Sequence, residues 1–152
     1  MARFEGNFDA RLDEKGRVFF PAAFRRILQL EGDESLVVRK DVYQRCLVLY
    51  PRSAWDSRID DMRSRLNPWN AHEQMVFRKF EAGVDDLPID STGRILIKKE
   101  QQQQIGLQSL NVHFIGMRDV IELWAKDDYD SLHTDETSLA EDLAKLFGEG
   151  TL

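Results

Sequence analysis

"LDEKGRVFFP", residues 12–21, and "IDSTGRILIK", residues 89–98, follow one pattern: an apolar residue, Asp, two polar residues, Gly, Arg and three apolar residues. A short carboxylate at a turn entrance accepts backbone N–H groups a few residues on. Gly16 and Gly93 stand where such a reversal takes a positive φ, which glycine alone adopts without penalty. Arg17 and Arg94 follow as the chain becomes strand, four positions after Asp13 and Asp90 and in reach of a bidentate carboxylate–guanidinium pair. A salt bridge that closes the turn accounts for both motifs. Arginine-bearing loops repeated by symmetry can also meet successive stretches of a polyanion, a reading that the further basic residues around the first loop favour.

The repetition extends outward from the loops. After the first come Val18–Phe20, Pro21 and a helical stretch, "AAFRRILQLEG", with Phe24, Ile27 and Leu28 on one face and Gly32 as a stop. After the second come Ile95–Ile97 and a polar helix, "KKEQQQQIGL", stopped at Gly106. Each unit continues with two strands, "SLVVR" (35–39) and "CLVLYP" (46–51), then "LNVHFIG" (110–116) and "IELWAK" (121–126). Trp55-Asp56 answers Tyr129-Asp130 at an offset of 74, against 77 for the loops, so a longer turn, "KDVYQR", belongs to the first unit. Each unit reads as strand, loop, strand, short helix, strand, strand over about fifty residues, which is too short to bury a sufficient core alone. Two units packed together give one β-rich core with pseudo-twofold symmetry.

The remainder is helical. Ser53 is a candidate cap for "AWDSRIDDMRSRL", with Trp55, Ile59, Met62 and Leu66 at helical spacing, and "NPW" (67–69) breaks it. Asn70 and Glu73 have capping-box spacing for "AHEQMVFRKF", whose Met75, Val76, Lys79 and Phe80 form a partly apolar stripe. These two make a helical hairpin between the units. "TSLAEDLAKLFG" (137–148) is amphipathic, its Leu139, Leu143 and Leu146 facing either the protein's own body or a neighbouring subunit. The resulting boundaries are 5–55 for the first unit, 56–81 for the linker, 82–129 for the second unit and 130–152 for the tail.

Composition bounds the function. The chain of 152 residues is 42% hydrophobic and 32% charged, the balance of a soluble globular protein. It has no apolar signal core or membrane-length run, so the expected compartment is the cytoplasm. One cysteine, Cys46, sits in "CLVLY" and reads as strand filler. The net charge of −6 is unevenly spread: residues 1–52 hold ten Lys/Arg against eight Asp/Glu, whereas residues 119–152 hold two against ten. A basic face is therefore compatible with an acidic chain. His72, His113 and His133 show no ligand spacing, so neither a metal nor another cofactor is expected. Asp13 and Asp90 could form a carboxylate dyad across a pseudo-dimer axis, but an Arg four positions after each favours ionised turn acids. There is no phosphate-cradling glycine loop and no nucleophile with a matching base, which argues against an enzyme.

"FEGNFDARLDEKGRVFFPAAFR", "LVLYPRSAWD", "GVDDLPIDSTGRILIKKEQQQQIGL" and "ELWAKDDYD", in this order over about residues 1–130, closely resemble the MraZ family of bacterial transcriptional regulators with two SpoVT/AbrB-type repeats. The resemblance implies an α+β, β-rich fold in which the repeats form a pseudo-dimeric swapped-hairpin barrel, with the helical hairpin and a C-terminal helix added. It implies a ring-shaped homo-oligomer, associated with the nucleoid, that binds double-stranded DNA at repeats upstream of its own operon of division and cell-wall genes. The implied DNA contacts are Asp13, Lys15 and Arg17 in the first loop and Asp90 and Arg94 in the second. Arg11, just before the first loop's pattern, is expected to join these contacts, and Arg25 and Arg26 follow on the next helix with further positive charge. Lys98 stands where the family usually has proline, and acidic "DDLP" precedes the second loop, so the first loop is expected to contribute more. An AbrB-like antitoxin and a ring-forming scaffold that binds no DNA are the competing readings.

Overall fold

The computed structural model describes residues 3–33, 35–132 and 136–148; His133 lies outside them. The first unit comprises β1 (Asn7–Arg11), β2 (Arg17–Phe19), α1 (Ala22–Leu30), β3 (Leu36–Lys40) and β4 (Leu47–Pro51). Helices α2 (Arg52–Arg65) and α3 (Ala71–Ala82) follow. The second unit repeats the series as β5 (Val84–Leu87), β6 (Arg94–Leu96), α4 (Lys99–Gln104), β7 (Asn111–Gly116) and β8 (Ile121–Ala125). Two helices, α5 (Lys126–Leu132) and α6 (Glu136–Phe147), end the described chain. The turn that lengthens the first unit spans the β3–β4 connection, where the Asp41 carboxylate accepts the N–H groups of Tyr43 and Gln44.

Six strands form one antiparallel sheet in the order β1-β7-β8-β4-β3-β5, and β2 pairs with β6 in a separate ribbon. Exchanging the units in that order returns it reversed, which is the pseudo-twofold expected from the repeat. The units are also interleaved. β1 pairs with β7 of the other unit, and β5 with β3, so neither unit completes its sheet from its own strands.

Strand alternation divides the buried side chains between the two faces. Leu36, Val38, Leu47, Leu49, Val112, Phe114, Ile121 and Leu123 enter the main core with Val18 and Ile95 of the ribbon and Phe24 and Leu28 of α1. Phe24 is its centre, edge-on to Phe4 and Phe8 at 5.6 and 5.1 Å. Val37, Val48 and Tyr50 enter a second core under α2 and α3. There Trp55 meets Tyr50 at 5.0 Å and stacks on Phe80 at 5.3 Å. Cys46 is fully buried, and burial pushes its thiol far above the usual range, as suits a strand filler.

Several local expectations change. Ser53 does not cap α2, which starts one residue earlier with Pro51 before it. Instead Asp33 reaches in from the end of the first unit's helix and accepts both the N–H and the hydroxyl of Ser53, at 3.1 and 2.8 Å. The capping box on α3 is half made: Asn70 accepts the Glu73 N–H, but the Glu73 carboxylate turns to the N–H of Asn67. Met75 and Val76 face solvent, while Phe80 faces inward. On α6, Leu139 and Leu146 are more than half exposed and Leu143 is half-buried.

Candidate nucleic-acid interface

The two loops share one hydrogen-bond pattern, to which the Thr92 hydroxyl adds a bond to Asp90 in the second. Asp13 N–H donates to the Arg17 carbonyl and Gly16 N–H to the Asp13 carbonyl, closing a turn that Asp90, Gly93 and Arg94 reproduce. Gly16 and Gly93 have φ of 86° and 88°, the left-handed backbone the spacing predicts. Oδ1 of Asp13 accepts the N–H groups of Lys15 and Arg17, and Oδ1 of Asp90 those of Thr92 and Arg94. That leaves only Oδ2 for the arginine, which meets it through Nε at 2.7 Å in the first loop and 3.1 Å in the second. The expected bidentate pair is therefore monodentate. The turn's own amides have taken the other oxygen.

This has a chemical consequence. A guanidinium carries five N–H donors, and pairing through Nε fixes its orientation while leaving the outer Nη edge for a ligand. That edge of Arg17 and Arg94 has no protein partner among the described residues. The carboxylates are held ionised: the Arg17 N–H, then its side chain and the Lys15 N–H, keep Asp13 below the usual aspartate range. For Asp90 the Arg94 N–H and the Thr92 hydroxyl do the same. No shared-proton dyad forms, since each acid is committed to its own loop.

The ribbon sets the loops side by side. Arg17 lies opposite Leu96 and Arg94 opposite Phe19, with Val18 and Ile95 paired between them and buried. The Phe20 N–H donates to Gly93 and the Ile97 N–H to Gly16, so each loop is tied to the other unit's strand. Diagonal positions on such a ribbon lie about 7–8 Å apart, which places both arginines on one exposed face.

The interleaving also redistributes charge. Arg25, counted from sequence with the first loop, lies against Gly93 of the second, because α1 follows a strand that crosses to the other unit. Its Nε is buried without a hydrogen-bond partner. On the equivalent side, Gln102 of α4 lies against Gly16 and donates to the Ile97 carbonyl. The acids before the second loop are engaged as well, Asp86 with Arg52 at 2.6 Å and Asp85 with Lys98 at 3.9 Å. Arg11 sits at the end of β1 and donates to Asn111; Lys15 is exposed at the first loop's tip. The substitution of lysine at 98 is accommodated: the N–H that a proline would lack donates to Oε1 of the buried Gln101.

The histidine in the strand is structural. His113 is buried with Nδ1 2.7 Å from Asp9 and Nε2 2.9 Å from Asn7, and Tyr129 is stacked on its ring. Among the described residues no group of three His, Cys, Asp or Glu side chains could hold a metal ion. No described helix is long and apolar enough to cross a membrane. A groove of about 660 Å³ runs between the end of α1 and the start of α2, away from the loops, and is lined by Glu31, Asp33, Arg52 and Asp56 among others.

The site is thus a pair of convex, arginine-bearing turns on a duplicated domain, not a cleft. A family model described as "MraZ protein, putative antitoxin-like" matches residues 4–79, the first unit and nearly all of the helical hairpin. A protein of Bacteroides fragilis named "Transcriptional regulator MraZ" is 46% identical over 98% of this chain and 94% of its own length. One of the same name from Bacteroides thetaiotaomicron is 48% identical over 84% of this chain and 81% of its own, and one from Serratia proteamaculans 32% over 94% and 98%. The chain belongs to the MraZ family.

Proposed function

We propose that the chain is a non-catalytic transcriptional regulator that binds double-stranded DNA with its paired loops. The observation that carries this reading is the doubled arginine, oriented by an Asp through Nε with its outer edge free, on one exposed ribbon face. Arginine in that posture suits phosphates and guanine edges in the major groove. Asp13 and Asp90 act by orienting; Arg17 and Arg94 make the contact, with Lys15 and Arg11 adding charge. With Arg25 at the second loop and its preceding acids engaged, the two loops are closer in strength than their sequences suggest.

The interleaved sheet supports reading the domain as a pseudo-dimeric swapped-hairpin barrel, with units at 5–55 and 82–129 joined by a linker at 56–81 and followed by a tail at 130–152. The exposed Leu139 and Leu146 of α6 support self-association, with a ring as the form the family resemblance implies. The DNA would be the repeats upstream of the chain's own operon, met in the cytoplasm at the nucleoid. The test is a fluorescence-anisotropy titration of that upstream duplex against scrambled DNA at two salt concentrations. Specific binding that falls steeply with salt supports the reading; no preference at low salt sinks it. The family description's "antitoxin-like" favours one competitor, and copurification of a toxin from the native host would move the assignment there.

A further inference from the structure

The ribbon's exposed face carries more than arginine. With Val18 and Ile95 turned inward, Phe19 and Leu96 turn outward with Arg17 and Arg94, and they are 66% and 47% exposed. Single exposed apolar residues are ordinary. These two are related by the repeat: each stands two positions after its loop arginine, 77 apart, and directly across the ribbon from the arginine of the other loop. Both units thus hold a large apolar side chain at the one outward position beside a free guanidinium edge. The face is a checkerboard, with arginines on one diagonal and apolar groups on the other.

We infer that Phe19 and Leu96 read thymine methyl groups in the major groove, so that the ribbon itself, and not only its two turns, sets sequence preference. The inference rests on the DNA-binding reading above. The duplex is favoured as the occupant by its acceptors, since Arg17 and Arg94 flank the apolar pair, each held through Nε with its Nη donors toward the same face. It is favoured by size too: two strands about 5 Å apart enter a groove about 12 Å wide. The thymine C5 methyl is the apolar group on a major-groove base edge, which is what an exposed Phe or Leu can discriminate. Because the pseudo-twofold passes between Val18 and Ile95, the two apolar groups address opposite DNA strands, and Phe against Leu makes the two halves unequal.

The experiment replaces thymines with deoxyuridine, one at a time, in the duplex immediately upstream of the gene. This removes only the methyl. Wild type, Phe19→Ala and Leu96→Ala are titrated, with circular dichroism to confirm folding and light scattering for mass. For the wild type, substitution at a few positions is expected to weaken binding about fourfold each, the worth of one buried methyl-sized group. The penalty should vanish at one position in Phe19→Ala and at another in Leu96→Ala, while low-salt binding to scrambled DNA stays unchanged. Equal penalties in wild type and variants, or none anywhere, overturn the inference while leaving DNA binding standing. A wild type that binds no duplex removes both. A changed mass in Phe19→Ala, with the methyl penalty intact, assigns the face to contact between copies instead.

Discussion

Arg25 and Gln102 occupy equivalent positions on α1 and α4, and each lies against the glycine of the opposite loop: Arg25 on Gly93, Gln102 on Gly16. Each loop, closed by its own hydrogen bonds, therefore rests against a helix of the other unit. The two contacts also differ in a way that mutation can expose.

A methyl group at Gly16 would meet the Ile97 carbonyl oxygen at 2.5 Å, which is backbone and cannot step aside. At Gly93 the nearest atom is the Arg25 Nη1, at 3.0 Å on a flexible side chain. Both positions carry the left-handed penalty of roughly 1–2 kcal/mol. Gly93→Ala is expected to cost about that much, and Gly16→Ala clearly more. Denaturant unfolding of the two variants measures the gap; equal losses would mean the crossed support is not felt.

Arg17→Ala leaves the backbone bonds of its loop in place, since Asp13 still accepts two amides. The fold should survive, with specific DNA affinity reduced by one to two orders of magnitude and a shallower salt dependence. Anisotropy with wild type and Arg17→Ala side by side decides this. A variant that loses stability, and has no DNA affinity to lose, returns the loop to turn chemistry.

The pH behaviour follows from the depressed carboxyls. Asp13 and Asp90 titrate below the ordinary value of 3.8 when folded, so their contribution is fully present above that value and is lost as pH falls through the lower, folded-state one. The loops should stay closed from neutrality to about pH 4. Carboxyl carbon shifts in an NMR titration check it. Either aspartate titrating above 3.8 would contradict the hydrogen bonding described.

Trp55 is 2% exposed and sandwiched between Tyr50 and Phe80, joining the helical hairpin to the sheet. Trp55→Ala is expected to cost about 3–5 kcal/mol. For a chain of this size that lowers Tm by roughly 10 °C or more. Calorimetry on DNA-free protein gives the number. A loss near zero would mean that α2 and α3 are held elsewhere.

For α6, Leu139→Asp and Leu146→Asp place charge at apolar positions that are more than half exposed. If these positions join copies, light scattering should show a smaller assembly with unchanged circular dichroism. An unchanged mass would put the association on another surface.

What the sequence made legible was local. The Asp–Gly–Arg turns announce themselves because their bonds run between residues two to four apart. Short runs of β-forming apolar residues likewise located β3, β4, β7 and β8 to within a residue or so. The misses share a cause. Asp33 at Ser53 and Arg25 at the second loop both depend on where another segment comes to rest. The outward turn of Phe19 was present in the period-two pattern of "RVFFP", yet an apolar triplet reads as core until the partner strand is known.

The interleaved sheet has a consequence during synthesis. β1 leaves the ribosome first, but its partner β7 begins at Asn111, about 100 residues later. At about 5–20 residues per second, the first strand waits on the order of 5–20 s for a place in the sheet. Until then the nascent first half has an open sheet edge and half a core, the condition in which chains are prone to misassociate. On a crowded polysome it can also be completed by the β7 of a neighbouring chain. Joining two interlocked units in one polypeptide makes the correct partner the nearest one, and translation decides when that partner arrives.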